Sequence, residues 1–321
     1  MNTARIPNLS SRELQAVCTI AEYGSFMAAS LTLNMSQPAL TRTVQRVESA
    51  VGLELFRRST RRVELLPAGV EFVALANRIL SDLRISFENM RDIADEQRGR
   101  IILSAVMSVA YTQLPQLVAG YRLTRQRMEI QLREGVHGTV INDVRSGIAD
   151  LGITYIDDIS SEFESVELGL EAFHVVMPRG HTLSKKSGVS LLDLKDVALV
   201  SLPKEAQTRR LLDGLASVEG INLQHAVTVH QFATVMQCVH AGVGLALVPG
   251  GAIPFALSAG LISRPLVKPI LNRMMGVIML RDRSLTPSVK GFLSHVESHW
   301  SSSKPNTRLL DRSTFSSSKA A

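Results

Sequence analysis

Six arginines stand between Met35 and Arg62 (Arg42, Arg46, Arg57, Arg58, Arg61 and Arg62), against two acids, Glu48 and Glu54. Arginine forks onto phosphates and guanine edges, whereas lysine offers only a point charge. No lysine occurs before Lys185. Interleaved with these arginines are Ser36, Gln37, Pro38, Thr41 and Gln45. At a period of 3.6, Leu40, Val44, Val47 and Val51 share one helix face. The opposite face collects Gln37, Pro38, Thr41, Arg42, Gln45 and Arg46, with no acid before Glu48. A helix with an apolar side and a cationic, hydrogen-bonding side is what entry into a DNA major groove requires. A merely solvated face ordinarily mixes charge signs.

The surrounding elements are those needed to hold such a helix. Leu14, Val17, Cys18 and Ala21 predict a first helix begun at Ser10 or Ser11 and stopped by Gly24. Ser25 caps a second helix over Phe26 to Leu33, and Ser36 caps the third, which tolerates Pro38 in its first turn. Met35 and Leu40 have the spacing of a hydrophobic staple. Leu55 to Leu65 then reads as two short β runs about a Ser-Thr turn, a wing whose arginines can grip phosphates beside the helix.

Length and composition bound the rest. The chain has 321 residues, 45% hydrophobic and 20% charged, with net charge +6. This fits two soluble domains and excludes global disorder. Two distant cysteines, Cys18 and Cys238, exclude a disulfide scaffold and a zinc cluster. Acids and arginines interrupt the first apolar positions, so no signal peptide is expected and the cytoplasm is the predicted compartment. Gly220 to Ser263 lacks charged residues, but its glycines and prolines predict buried core and no membrane span.

From Pro67 to about Gln97 the pattern is one helix. Val73, Ala76, Leu80, Leu83, Phe87, Met90 and Ala94 alternate in steps of three and four, which predicts a seam for a second copy of the chain. Phe72, Leu75 and Ile79 form a second face, expected against the helical headpiece. Beyond Arg98, strands and helices alternate as in a parallel α/β sheet. The strands are Ile101 to Val106, Glu129 to Glu134 and Leu151 to Tyr155. They recur as Val197 to Leu202, Ala226 to Val229 and Leu245 to Val248. Short extended segments near Ala172 to Met177 and Ile262 to Val267 are expected to join two such lobes. Met274 to Leu280 and a helix from Pro287 to about Trp300 return the chain. Ligands of such sheets sit beyond the strand ends, where helix N-termini point inward. Ser108, Thr139, Tyr155, Thr208 and Phe232 fall at those places.

Ala28-Ala29, Ser36-Gln37-Pro38-Ala39-Leu40-Thr41-Arg42, Leu55-Phe56-Arg57-Arg58 and Pro67-Ala68-Gly69 together resemble the N-terminal domain of LysR-type transcriptional regulators. The likeness continues to about Trp300 and includes Ala241-Gly242-Val243-Gly244 leading into Leu247-Val248-Pro249. It departs at Met27, where that family often has a polar residue, and at Leu66, where a Thr usually caps the following helix. The resemblance implies an α/β protein with an all-α winged helix-turn-helix N-terminal domain and a two-lobed, periplasmic-binding-protein-like effector domain. It implies base contact by Gln37, Pro38 and Thr41, and backbone contact by Arg42 and the wing arginines Arg58, Arg61 and Arg62. Effector contact is implied especially for Ser108, Thr139 and Thr208. Expected partners are double-stranded DNA, a small-molecule effector, further copies in a homodimer or homotetramer, and RNA polymerase.

The expected division is residues 1–66 for DNA, 67–98 for dimerisation and 99–300 for the effector. Within the last, lobe I covers about 99–168 and 268–300 and lobe II about 169–267, and 301–321 form a disordered tail. Hydroxyls at helix starts suit a small carboxylate or other anion, although they also serve as plain caps. No cofactor and no catalytic group are expected. Spacing shows no Ser/His/Asp set, carboxylate pair or metal cluster, and His137, His174 and His181 read as loop or strand-end residues. The rival reading is a solute-binding protein or enzyme with an incidental headpiece, which needs neither the arginine face nor the heptad helix.

Overall fold

The computed structural model describes residues 8–58, 63–92 and 99–300. Arg61, Arg62, Ala94 and the expected tail lie outside them, as do the side chains of Arg58 and Met90.

The headpiece starts with α1 (Ser11–Tyr23), closed by a full capping box between Ser10 and Glu13 and ended at Gly24 with φ 58°. Ser25 caps α2 (Phe26–Thr32) and Ser36 caps α3 (Gln37–Val51). Leu40, Val44 and Val47 are fully buried against Val17, Ile20 and Ala29. Each such side chain contributes about 1.5–3 kcal/mol on burial, which sets the roll angle of α3. A hairpin of β1 (Phe56–Arg58) and β2 (Val63–Leu65) follows. Glu48, near the end of α3, accepts the Leu55 N–H at 2.9 Å and so ties wing to helix.

The long helix α4 (Pro67–Asp92) begins at Pro67 despite Leu66 in the capping place, with the Val70 N–H donating to the Leu66 carbonyl. Its faces divide differently from the heptad expectation. Ala76 is buried in the headpiece core beside Phe72, and Val73 and Leu80 pack on that core. Those three seam residues therefore face the chain's own headpiece. Leu75, Ile79, Leu83 and Phe87 are instead 53%, 39%, 42% and 60% exposed. Their spacing of four makes one continuous ridge on the helix surface. The reason is α1, which packs across the first half of α4 and claims the wider apolar stripe. Another side of α4 meets the third domain: Arg84 donates to Asp150, whose other oxygen accepts the Ile102 N–H at 2.8 Å.

Lobe I contains β3 (Gly99–Val106), α5 (Met107–Ala110), α6 (Gln113–Leu123), β4 (Met128–Gly135), α7 (His137–Arg145) and β5 (Leu151–Tyr155). Strand β6 (Phe163–Met177) runs on into lobe II, where β7 (Val189–Ser190), β8 (Ala198–Ser201), α8 (Gln207–Val218), β9 (Gln224–Thr228), α9 (Phe232–His240), β10 (Ala246–Pro249), α10 (Ile253–Ser258) and β11 (Ile262–Lys268) follow. The chain closes with β12 (Asn272–Leu280) and α11 (Pro287–His299). Strands β4, β3, β5, β12 and β6 are neighbours in lobe I, with β3 parallel to both β4 and β5. In lobe II the far half of β6 lies between β10 and β11. Strand β8 pairs with β9 in parallel, and a bridge from Leu199 to Leu245 joins it to the start of β10.

The extended segment expected near Ala172 is the second half of this fifteen-residue strand. Glu164, Glu167 and Gly169 broke the apolar signal over its first half, while pairing with β12 holds it extended. Gly244 is the glycine that the core needs. A Cβ there would lie 2.4 Å from the Ala198 carbonyl oxygen, so the backbones of β8 and the turn into β10 could not meet.

Candidate nucleic-acid interface and ligand cleft

The exposed start of α3 brings Gln37, Pro38, Thr41 and Arg42 together around one shallow surface depression. Ser36 is turned to the Ala39 N–H as the cap, and Gln45 continues the exposed face one turn on. Arg46 is committed in part, since its Nε donates to Glu13 at 2.6 Å. Burial alone would raise the Glu13 carboxyl, but hydrogen bonds from Ser10 and then Arg46 hold it below its usual range. Arg46 therefore locks α3 to α1 while the rest of its guanidinium stays exposed. On the hairpin, Arg57 faces Glu64 across the strands at 3.8 Å, a solvent-exposed pair worth little.

The second site lies between the lobes. A cavity of about 70 Å³ is lined by Ser108, Tyr155, Thr208 and Phe232, four of the five predicted effector residues. Thr139 is not among them. Helix α7 starts at His137, so Thr139 occupies its third position, exposed and folded back over Gly135. His137 takes the cavity position instead. Its Nδ1 lies 2.8 Å from the Thr154 hydroxyl, and burial, then Arg273 and Arg210, push its imidazole below the usual range. The sequence alone reads it as a loop or strand-end residue, because where α7 begins is a one- or two-residue question that periodicity does not answer.

Tyr155 forms the floor. Burial, then the Glu171 carboxylate, push its phenol well above the usual range, so it remains a hydrogen-bond donor. The Arg273 guanidinium lies 4.2 Å over its ring and donates to Asp157 at 3.0 Å. Phe232 of lobe II stacks on Tyr111 of lobe I with ring centres 6.2 Å apart. Gln207 and Ser201 also line the space.

Val136, Ala206 and Gln231 precede α7, α8 and α9, and none of them caps its helix with a side chain. By contrast Ser10, Ser25, Ser36 and Thr286 close α1, α2, α3 and α11. The first residues of α7, α8 and α9 all line the cavity. The N-terminus of a helix carries the positive end of its dipole and N–H groups that have no partner further along the helix. Among the described residues no group of three His, Cys, Asp or Glu could hold a metal ion, and no helix is long and apolar enough to cross a membrane.

Known proteins share this fold. Residues 11–70 match the bacterial regulatory helix-turn-helix proteins of the lysR family, and residues 94–301 match the LysR substrate binding domain. The uncharacterized HTH-type transcriptional regulator YbhD of Escherichia coli is 27% identical over 301 residues, covering 93% of this chain and 95% of its own. Full-length OxyR from Pseudomonas aeruginosa superposes with a TM-score of 0.66 at 21% identity, over 90% of this chain and 98% of the other. CbnR, solved in complex with its target DNA, superposes with a TM-score of 0.63 at 22% identity, over 90% of this chain and 99% of the other. With its helix-turn-helix headpiece and its two-lobed ligand domain both matched, the chain belongs to the LysR family of DNA-binding transcriptional regulators.

Proposed function

We propose that this regulator answers a small carboxylate or similar anion held between its lobes, and passes the change through α4 to paired DNA contacts. The supporting observation is the meeting of three uncapped helix N-termini, from α7, α8 and α9, at one cavity. At about 70 Å³ the cavity suits a small ligand. Ligand binding shifts the balance between lobe arrangements, and so changes the spacing or bend of the DNA. The exposed ridge on α4 is the surface through which two copies pair, as homodimers or dimers of dimers acting in the cytoplasm with RNA polymerase.

Binding to DNA from the region upstream of its own gene tests the first half. Arg42→Ala should weaken binding to all sequences and shallow the salt slope by about one unit for the lost phosphate contact. Gln37→Ala should relax base preference at one position per half-site, at a cost of about 1–3 kcal/mol. Fluorescence anisotropy across a salt series reads both, and salt-independent binding by the wild type would refute the reading.

The cleft is tested by screening small carboxylates for a rise in melting temperature. For any hit, Thr208→Val should cost about 0.5–1.5 kcal/mol of affinity, or more against a charged group. Thr139→Val, outside the cavity, should leave affinity unchanged. Equal effects of the two substitutions in titration calorimetry would place the ligand elsewhere.

A further inference from the structure

Three residues that sequence spacing did not connect form a hydrogen-bonded chain at the lobe II wall of the cavity. Ser201, at the end of β8, lies with its Oγ 2.6 Å from His225 Nδ1 on the neighbouring strand β9. His225 Nε2 lies 2.9 Å from Asp213 Oδ1 on α8, and the other Asp213 oxygen accepts from Arg209 Nε at 2.7 Å. Ser201 is 8% exposed and lines the cavity.

The direction of this chain follows from which atoms can donate. An Asp carboxylate only accepts, so the proton between it and the ring sits on Nε2. The charged groups facing His225 are Asp213 and Arg209 on α8 and Lys204 in the loop before it. Burial, then Arg209, push the imidazole below its usual range, with Asp213 offsetting part of that. The ring is neutral near pH 7, Nδ1 carries a lone pair, and the Ser201 hydroxyl donates to it. With its only proton spent, Ser201 Oγ has nothing but lone pairs left for the cavity.

We propose that the Asp213–His225–Ser201 relay fixes Ser201 as a hydrogen-bond acceptor, so that the cleft selects anions carrying a hydroxyl or N–H donor. This rests on the cleft being the effector site. A Ser-His-Asp set also invites a nucleophilic reading. Here, however, Arg209 neutralises the carboxylate whose charge would stabilise an imidazolium during attack. The fixed-acceptor role is the one that the contacts favour.

The test uses the full chain and two probes, glycolate and methoxyacetate, the second being the first with its hydroxyl donor capped. Nitrogen-15 NMR of the histidine rings should show His225 as the Nε2–H tautomer before any ligand is added. Wild-type protein should bind methoxyacetate about tenfold more weakly than glycolate, since Ser201 would be left without a donor. In Ser201→Ala the two affinities should come within about twofold of each other. His225→Phe keeps a ring but lets Ser201 donate again, so it too should lose the discrimination. A Nδ1–H tautomer, or equal wild-type affinities, would overturn the acceptor role while leaving the cleft as the effector site. Labelling of Ser201 by a fluorophosphonate would overturn it in favour of a nucleophile. Binding of neither probe, with the Thr208→Val comparison also flat, would overturn the cleft reading and this proposal together.

Discussion

Leu83→Arg should leave the chain folded but separate its copies, and DNA affinity should fall with the assembly. Leu83 is 42% exposed in the single chain, midway along the ridge of Leu75, Ile79, Leu83 and Phe87. Burying the rest of one leucine is worth up to about 1.5–3 kcal/mol, and two-fold symmetry applies each substitution twice. The arginine also brings two like charges toward one another across the pair. Monomers lose the effective concentration that one half-site gives the other, so apparent DNA affinity should drop about 10²–10⁴-fold. Ile79→Arg should behave alike. Ser86→Ala serves as the control, because its exposed hydroxyl bonds, among the described residues, only the Asp82 carbonyl of its own helix. Arg84 would mislead as a control, since it holds Asp150 of lobe I. Sedimentation decides the matter: if Leu83→Arg stays as oligomeric as the wild type, the copies meet through another surface.

Gly69→Ala should destabilise the headpiece even though it replaces a helical glycine with the best helix former. On propensity alone the change would gain about 1 kcal/mol. The space decides otherwise. A Cβ at position 69 would lie 2.1 Å from the Leu55 carbonyl oxygen and 2.8 Å from Leu65 Cδ2. The Leu65 side chain could move, but the Leu55 oxygen belongs to backbone that already accepts the Leu66 N–H at 3.0 Å. Shifting α4 off the wing costs about 1–3 kcal/mol of overpacking and strains that hydrogen bond. The expected result is a headpiece melting at least about 4 °C lower, with weaker DNA binding. Gly214→Ala in the middle of α8 is the matched comparison, because nothing lies within 4 Å of its added carbon. It should be neutral or stabilising by about 1 kcal/mol. A stabilised Gly69→Ala protein would show that the wing is loosely held.

The two sites differ in how far they could be read from the residues. Every part of the α3 surface is local: cap, apolar stripe and polar face all lie within sixteen consecutive residues, where period 3.6 alone assigns them. The cleft draws on α5, α7, α8 and α9 and on β5, so one register error displaces a residue. That happened at Thr139, which yields its place to His137 two positions earlier. The α4 helix shows a third case, in which periodicity identified the apolar residues but not their partners. Val73, Ala76 and Leu80 went to the headpiece, while Leu75 and Ile79 came out to solvent.

What the sequence by itself determined is the set of elements and their amphipathic faces, because caps, periodicity and turn residues act within a few positions of one another. It also determined the chemistry of the exposed α3 surface, since one helix presents it. The tertiary structure alone decided which apolar face of α4 is left uncovered, because α1 and α4 compete for the same stripe only once they pack. It alone placed Ser201, Asp213 and His225 in one chain, for residues twelve apart meet only when a strand, a helix and the next strand close into a layer. And it alone brought three bare helix starts to a single cavity, because the direction of a helix end is set by the sheet on which the helix lies, not by the residues that begin it.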